Sequence, residues 1–261
     1  MRNISLLFLA VAIVFKEYLS KLRWVMKNLC VVVAGIALTS QFALAETTLK
    51  HDDFSGVTLY YKVITPKDYD PAQEYPAIIA FPGGAQSMPM VDGMIARNLA
   101  VQAQKRGYIV VVCSASAAGL FYEGGAVVFP AFLEKLLADY KIRGRKFHIA
   151  GISNGGLSSF HIAASYPKYF WSVTGFPGYL LNATDERVAA LQGMCLNMHV
   201  GQLDSGWLDT MQKQSMMFRA KGLKVRFTIE RGQGHVMTTL EGAGAARLFD
   251  QFDEAAHGCG K

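Results

Sequence analysis

The sequence is poor in charge and in cysteine: 18% of its 261 residues are Asp, Glu, Lys or Arg, and only four are Cys. It has no internal repeat, no low-complexity tract and no Pro- or Ser-rich linker. It also lacks a metal-ligand spacing, a phosphate-cradling Gly-rich motif and a dinucleotide fingerprint. The sequence therefore predicts no metal and no cofactor. Its 51% hydrophobic content and its length favour one globular domain.

Net positive charge belongs to the N-terminal segment rather than to the whole chain. The formal charge is +6 at pH 7. Among the first 45 residues, five Lys or Arg residues stand against one Glu and contribute +4, which leaves about +2 for the remainder. Because so small a charge gives no reason to expect an acidic partner, we infer no nucleic-acid partner.

The first 45 residues have the pattern of a leader and signal peptide. Basic residues precede an apolar run at residues 29–38, and Ala43 and Ala45 supply the small residues that a signal peptidase recognises. Cleavage after Ala45 would leave residues 46–261 as the mature domain. We therefore expect a secreted or periplasmic protein with no stable membrane association after cleavage.

An additional apolar run at residues 4–15 leaves two interpretations of the N-terminus open. At about 12 residues it is too short to span a bilayer comfortably. Either Met26 is the natural start and residues 1–25 are an excess, or the extension from Met1 is a real membrane-associated leader.

Residues 151–155, Gly-Ile-Ser-Asn-Gly, are the most informative motif of the sequence. An apolar strand is expected at residues 146–150 and a helix at residues 156–166, ended by Pro167. A sharp strand-to-helix turn presents a Ser hydroxyl to a substrate, and the flanking glycines let neighbouring backbone approach without a Cβ clash. The pattern predicts Ser153 as a nucleophile.

The partners of a nucleophilic Ser are expected on loops after later strands, first an acid and then a His. Asp204 follows an expected strand at residues 194–200. His235 lies in a Gly-flanked loop after an expected strand at residues 225–230. In such a triad His235 takes the proton from Ser153, while Asp204 fixes the imidazole tautomer and stabilises its cation.

Other residues compete for these two roles. Asp209 is the main alternative to Asp204, since it begins the helix that follows Asp204. A carboxylate at that position also interacts favourably with the helix dipole. Four His residues are weaker candidates for the base, since they lie within expected strands, within an expected helix or near the end of the chain: His148, His199, His161 and His257.

An acyl-transfer site also needs N–H donors for the negative charge that develops on the substrate oxygen. The backbone N–H of Asn154 is one candidate, at the positive end of its helix. The second donor is expected in the loop after the strand at residues 76–81, where Gly84, or failing that Ala85, follows a Pro-Gly pair. A Pro-Gly-Gly run is also common in an ordinary tight turn.

Together these motifs resemble the α/β-hydrolase superfamily. The residues that carry the resemblance are a Tyr-Pro pair and Phe-Pro-Gly-Gly ending at Gly84, the pentapeptide around Ser153, Asp204, and Gly-His ending at His235. The pattern is similar to compact esterases that include dienelactone hydrolase, feruloyl and acetyl-xylan esterases and polyhydroxyalkanoate depolymerases.

The resemblance covers roughly residues 55–255. One departure is Pro82-Gly83, where many members of the superfamily carry His-Gly. A second resemblance, to the catalytic domain of prolyl oligopeptidase-like peptidases, is weaker because this chain has no room for their propeller.

The fold class predicted from the element order is α/β: a mostly parallel, twisted sheet with helices on both faces and little or no lid. An antiparallel start is expected at residues 57–64. Further strands are expected near 76–81, 108–113, 146–150, 171–175, 194–200 and 225–230. Helices are expected near 92–106, 126–140, 155–166, 207–221 and 238–255.

The predicted function is cleavage of carboxylic esters, of small molecules or of a polymer, through an acyl-serine intermediate. A small serine peptidase or thioesterase with the same triad is the alternative, and a non-catalytic binding module of the same fold is another. Residues expected to line the substrate pocket lie near the motifs: Phe121, Tyr122, Trp207 and Met237. Aromatic residues at a sheet edge also serve simply to pack loops.

Three cysteines follow Ala45, so at least one has no intrachain partner. Cys113 is late in its strand, at the edge that carries the motifs, whereas Cys195 is early in its strand, at the opposite edge. The last helix runs back by roughly 25 Å, about the length of eight strand residues, toward that opposite edge. We therefore expect a disulfide between Cys195 and Cys259, with Cys113 free and buried.

Overall fold

The computed structural model describes residues 47–259 of the chain. The expected leader, residues 1–45, lies outside the described residues. No helix within residues 47–259 has the length and apolar content needed to cross a membrane.

Eight strands form one sheet in the order β1-β2-β4-β3-β5-β6-β7-β8. The first two strands pair antiparallel with each other, and β2 pairs antiparallel with β4, whereas all other neighbours are parallel. The strands are β1 Thr47–Phe54, β2 Val57–Ile64, β3 Ala77–Phe81, β4 Ile109–Cys113, β5 Phe147–Gly151, β6 Phe170–Gly175, β7 Cys195–Gly201 and β8 Lys224–Glu230.

Seven α-helices cover the two faces of this sheet in the described part of the chain. They are α1 Met88–Met94, α2 Ala100–Arg106, α3 Phe129–Asp139, α4 Asn154–Ser165, α5 Asp185–Ala190, α6 Ser205–Ala220 and α7 Ala246–Ala256. A π-helical turn, Ile95–Leu99, joins α1 to α2. Buried residues of α3, α4, α5 and α6 pack on one face, and those of α1, α2 and α7 pack on the other. The chain has the predicted α/β-hydrolase fold.

The parallel strands agree with the expected ranges to within one residue. Strands β3 and β4 are apolar runs that are buried throughout, whereas β8 alternates apolar and polar residues and is largely half-buried or exposed. Strand β1 was not expected. It includes His51, Asp52 and Asp53, and its alternating exposed side chains carry little hydrophobic signal. Only its register with β2, from Thr47 opposite Ile64 to Phe54 opposite Val57, makes it a strand.

The helix expected at residues 238–255 is wrong in its first half. Two 3₁₀ turns, Thr238–Leu240 and Gly242–Ala245, precede α7. Gly242 has φ = +54°, a left-handed conformation that interrupts a helix. Gly242 therefore serves a turn, and Gly244 lets the backbone pass close to Thr239, whose oxygen would lie 2.1 Å from a Cβ at this position.

Aromatic rings fill the core between the sheet and α3. Phe81 of β3 lies 4.9 Å from Phe121 and 5.6 Å from Phe129, measured between ring centroids. Phe129 contacts Phe132 edge-on at 5.6 Å. Because these rings are fully buried, they fix the position of β3 and of the loop that follows it.

A disulfide joins Cys195 at the start of β7 to Cys259, with the two Cα atoms 5.3 Å apart. It attaches the segment after α7 to the sheet edge opposite the motif-bearing loops. Cys113 is free and fully buried, and burial raises the pKa of its thiol far above the usual value.

Candidate active site

Ser153 occupies the turn between β5 and α4 in a conformation that is rare for a residue with a side chain, φ = +56° and ψ = −118°. Its backbone N–H donates to the Pro177 carbonyl at 2.8 Å. A Cβ on Gly151 would lie 2.1 Å from the Gly155 oxygen, and a Cβ on Gly155 would lie 2.0 Å from the Phe81 oxygen. Only glycine fits at both positions, so the sequence around Ser153 is what permits this strained turn.

Ser153, His235 and Asp204 form one chain of hydrogen bonds. The Ser153 Oγ is 2.9 Å from His235 Nε2, and the His235 Nδ1 is 2.7 Å from Asp204 Oδ2. Since the Asp204 carboxylate only accepts, Nδ1 carries the proton and Nε2 is left to accept from the Ser hydroxyl. The Asp204 side chain is 14% exposed and the His235 side chain 41%, so the acid is shielded while the imidazole faces solvent.

The loops that carry Asp204 and His235 are bonded to each other. The Leu203 N–H donates to the Gln233 carbonyl at 2.8 Å, and the Gln202 N–H donates to the Glu230 carbonyl at 3.0 Å. A Cβ on Gly201 would lie only 2.0 Å from the Gly234 oxygen. This close approach sets the acid and the imidazole at a fixed separation.

The rival candidates lie elsewhere or have other partners. Asp209 is exposed and pairs with Lys213 at 2.7 Å.

His148 contacts the Ser172 hydroxyl, and burial lowers the pKa of this imidazole to about 3, which keeps it neutral. His161 contacts Arg187, and His257 is exposed beyond α7. His199 is buried against Glu230.

Glu230 anchors the His235 loop and was not singled out by the sequence. Its buried carboxylate accepts from Arg247 at 2.7 and 3.0 Å, from Thr239 at 2.9 Å and from His199 at 3.0 Å. Burial by itself raises the pKa of a carboxyl, but the hydrogen bonds from His199, Arg247 and Thr239 outweigh it and lower the Glu230 pKa to about 2. A charged Glu230 thus holds the end of β8 to the segments that follow His235.

Three backbone N–H groups near Ser153 are free to act as donors. Within residues 47–259, the N–H groups of Asn154, Gly84 and Ala85 have no hydrogen-bond acceptor. Gly84 adopts φ = +57°, and its carbonyl accepts from the Asn154 side-chain amide at 2.9 Å. A Cβ on Gly83 would lie 3.5 Å from the Ser153 Cβ, so this loop passes directly beside the nucleophile candidate.

Gln86 links the loop of Gly84 to helix α4, and the sequence did not point to this residue. It is fully buried, with φ = +52°, and its side-chain amide donates to the Ser158 hydroxyl at 3.0 Å. Ser158 in turn donates to the Asn154 carbonyl at 2.9 Å. The Gln86 Oε1 has no partner in the described part of the chain. The signal available in the sequence was a polar residue two positions after the Pro-Gly-Gly run.

Two aromatic residues form a wall beside His235. The Trp207 ring lies 5.2 Å from the imidazole and 5.1 Å from the ring of Tyr179, which the sequence did not point to. Tyr122 is half-buried, and its pKa is raised by burial and by the nearby Glu123 and Tyr179. Trp207 thus lies beside the imidazole and Tyr179 beside Trp207, while the role of Trp207 and Tyr122 in a substrate pocket stays a prediction.

The expectation that Phe121 and Met237 line an open pocket is wrong. Phe121 has no exposed surface, because its ring packs between Phe81 and Phe129 in the core. Met237 is 4% exposed and belongs to the apolar layer on the other face of the sheet. In both cases apolar burial takes the side chain inward.

The rim of the site is apolar and exposed. Leu203, next to Asp204, is 70% exposed, and Val236, next to His235, is 64% exposed. The Met90 methyl group lies over the space that a Cβ on Gly84 would occupy, 2.8 Å away. Within residues 47–259 no group of three His, Cys, Asp or Glu side chains is arranged to hold a metal ion.

No protein-family model matches the sequence, and no curated protein is significantly similar to it. Solved structures match the fold at low identity. A thermostable esterase superposes with a TM-score of 0.61 at 16% identity, covering 82% of this chain and 62% of that one. A putative dipeptidyl aminopeptidase IV from Bacteroides ovatus superposes with a TM-score of 0.65 at 15% identity, covering 82% and 36%.

A feruloyl esterase module from Clostridium thermocellum, solved as a mutant in complex with sinapinate, superposes with a TM-score of 0.61 at 14% identity. That match covers 81% of this chain and 87% of the module. The chain spans less than two thirds of the first two structures but most of the third. Similarity at this level establishes the shared fold.

Proposed function

We propose that this chain, which has the α/β-hydrolase fold, is an exported serine hydrolase that cleaves carboxylic esters with Ser153 as nucleophile, His235 as base and Asp204 as acid. The observation that carries the proposal is the hydrogen-bonded series from the Ser153 hydroxyl through His235 to Asp204, with distances of 2.9 and 2.7 Å. These contacts join three loops that are 31 and 82 residues apart in the sequence.

Acylation begins when His235 Nε2 accepts the proton of the Ser153 hydroxyl. The Ser153 oxygen then forms a bond to the ester carbonyl carbon, and the carbonyl oxygen becomes an oxyanion. His235 returns the proton to the alcohol oxygen as the ester bond breaks. Asp204 stabilises the imidazolium that exists between these two proton transfers.

Water completes the cycle. His235 takes a proton from a water molecule, whose oxygen attacks the acyl carbon of the acyl-Ser153 intermediate. The proton then passes to the Ser153 oxygen, and the carboxylic acid leaves. The half-exposed imidazole is accessible to this water.

The oxyanion is stabilised by the N–H of Asn154, at the start of α4, together with the N–H of Gly84 or Ala85. All three lack an acceptor in the described part of the chain, and such donors lower the barrier most when they are held in place before the reaction. Asn154 itself holds the Gly84 loop through its side chain.

A peptidase is the second candidate function, supported by the fold shared with the putative dipeptidyl aminopeptidase IV. It would use the same three residues. The exposed apolar rim of Leu203, Val236 and Met90 favours an ester with apolar groups over a peptide, since a peptide needs polar partners for its backbone. A non-catalytic binding module has no need for a strained Ser153 with three free N–H groups beside it.

Export is supported by the leader pattern of residues 1–45 and by the disulfide between Cys195 and Cys259, which persists in oxidising compartments. Fractionation of cells that express the whole chain, followed by N-terminal sequencing, tests this part. A protein that starts at Glu46 and is recovered outside the cytoplasm supports it. A full-length cytoplasmic protein contradicts it.

The reaction is tested on a panel of p-nitrophenyl esters of increasing acyl length, with feruloyl and acetylated-sugar esters and aminoacyl-anilides alongside. We expect turnover of esters that disappears in the Ser153→Ala variant. Faster turnover of the anilides would favour the peptidase. No turnover of any member by the folded protein would favour the binding module.

A further inference from the structure

A second cleft, with a volume of about 800 Å³, lies at the opposite end of β7 and β8 from Ser153. It is lined by the first residues of both strands, by α7 and by the segment that carries the disulfide. Cys195 begins β7 and Cys259 follows α7, so the disulfide fixes one wall of the cleft. This cleft plays no part in the ester hydrolysis proposed above.

Strand β7 carries polar side chains on one of its two faces, although helices cover both faces of the sheet. On the α6 side, Leu196, Met198 and Val200 of β7 belong to the apolar core. On the α7 side, polar Asn197 and His199 alternate with them. A sheet covered by helices on both faces normally has apolar side chains on both. The buried polar side chains of β7 therefore need hydrogen-bond partners.

Two amide side chains in the floor of the cleft have polar atoms left over. Asn197 is 4% exposed and Gln251 is 7% exposed. Among the described residues, the Asn197 side chain makes one hydrogen bond, to the Thr174 hydroxyl at 3.2 Å, and the Gln251 side chain makes one, with His199 Nε2 at 3.0 Å. Each amide has two polar atoms, so one remains in either orientation of the group.

These remaining atoms are not sealed in the interior. Within residues 47–259, the buried side-chain atoms that lack both solvent and a partner are Gln86 Oε1 and Asn98 Oδ1, and neither amide of the cleft is among them. The second polar atom of Asn197 and that of Gln251 therefore keep contact with solvent, and both residues line the cleft. Side chains more than nine-tenths buried that present a free polar atom to one cavity are prepared to bind a polar group.

The charges around the cleft indicate what that group is. Arg219, Lys224 and Arg226 line it, against one carboxylate, Glu254. Arg226 pairs with Glu254 at 2.6 Å. Within residues 47–259, Lys224 and Arg219 contact only backbone carbonyls, at 3.2 and 3.4 Å, and no carboxylate. The cleft thus keeps an excess of positive charge beside two amides.

We propose that this cleft is a second ligand site, which binds a small molecule that carries oxyanion groups, carboxylate or phosphate. Lys224, which has no carboxylate partner in residues 47–259, contacts the oxyanion together with the guanidinium N–H groups of Arg226 that Glu254 does not use. The free atoms of Asn197 and Gln251 hydrogen-bond to it or to an adjacent hydroxyl. Charge-assisted hydrogen bonds of this kind are the stronger ones in proteins. The site does not depend on the activity of Ser153.

Citrate and inorganic phosphate are the probes, titrated into the ¹⁵N-labelled protein while the side-chain amide signals of Asn197 and Gln251 are followed by NMR. We expect saturable shifts of both signals with at least one probe, with a Kd on the order of 1 mM. Glycerol, which is neutral, should leave the signals unchanged. A lower Kd for citrate than for phosphate indicates a carboxylate site, and a lower Kd for phosphate indicates a phosphate site.

The double variant Lys224→Gln/Arg226→Gln should weaken binding by at least about tenfold, a loss of about 1.4 kcal/mol. The matched control is Lys105→Gln/Lys213→Gln, which removes the same charge at exposed positions outside the cleft. Binding in this control should equal that of the unchanged protein. Gln251→Met tests the floor and should also weaken binding.

Three results would overturn the proposal. The first is the absence of saturable shifts for both probes up to about 50 mM, well beyond the expected Kd. The second is equal weakening in the control and in the cleft variant, which would mean nonspecific attraction. The third is shifts with glycerol as large as with citrate. Thermal unfolding of each variant ensures that the comparison is made between folded proteins.

Discussion

The buried amide of Gln86 donates to the Ser158 hydroxyl at 3.0 Å, and this bond ties the loop of Gly84 to the helix that begins after Ser153. Ser158 passes the link to the Asn154 carbonyl, and the Asn154 side chain closes it at the Gly84 carbonyl. The free N–H groups on both sides of Ser153 are therefore held by one set of contacts. Gln86 is a positioning residue in this account, since it touches neither the nucleophile candidate nor the substrate.

Gln86→Met should lower kcat for an ester by about 10- to 100-fold, somewhat less than the loss of one oxyanion donor, and leave KM nearly unchanged. Met fills the buried volume but cannot donate to Ser158, so the Gly84 loop loses its anchor. The control is Gln104→Met, which removes bonds of a similar amide to Thr65 and Lys67 away from the site. An equal loss of kcat in both variants, or a change confined to KM, would contradict the positioning role.

Asp204→Asn should lower kcat by about 10³- to 10⁴-fold, because an amide that donates to His235 Nδ1 favours the wrong tautomer of the imidazole. Asp209→Asn should leave kcat within about twofold, since its carboxylate pairs with Lys213 at the surface and such pairs contribute little. Steady-state kinetics of the two variants on one p-nitrophenyl ester separates them. An inactive Asp209 variant beside an active Asp204 variant would reverse the assignment.

Glu230 should make the stability of the protein depend on pH in the acid range. Its pKa is about 2 in the folded protein, against 4.5 for a Glu side chain that is free of such contacts, so its contribution is complete above pH 4.5 and is lost as pH falls toward 2. The difference corresponds to a loss of roughly 3 kcal/mol at most. Urea unfolding between pH 5 and about pH 2.5 should show a smaller drop in Glu230→Gln. An unchanged drop would mean that other carboxylates control acid unfolding.

Phe121→Ala should destabilise the fold by about 3–5 kcal/mol, because it opens a cavity between the rings of Phe81 and Phe129. Val127→Ala, at an exposed position in the next turn, should change the free energy of unfolding by less than about 0.5 kcal/mol. Urea unfolding measures both. A Phe121 variant of unchanged stability whose KM rises would return this residue to the substrate pocket.

The sequence predicts this fold well where the signal is local. Strands β3 and β4 are continuous apolar runs, and β8 alternates apolar with polar residues. The pentapeptide around Ser153 requires its glycines for steric reasons. Asp204 and His235 were expected from their places after strands, and the structure brings both to Ser153. Strand β1 was not predicted, because its polar residues form a strand only through pairing with β2.

The contacts that support the candidate site are not local, and this is why the sequence did not point to them. Gln86 meets Ser158 across 72 residues, and Glu230 meets His199 across 31. Tyr179 is linked to the site through the ring of Trp207, which contacts His235. Phe121 was misjudged for the same reason, since an aromatic residue in a loop near a sheet edge gives no local sign that it turns inward.

The most direct test of the central claim is covalent labelling with a fluorophosphonate, followed by peptide mapping. The proposed mechanism predicts one label per protein, on Ser153, with labelling and ester hydrolysis both abolished in Ser153→Ala and both retained in Ser205→Ala, an exposed Ser at the start of α6. A folded Ser153→Ala variant that is still labelled at another serine and still hydrolyses esters would contradict it.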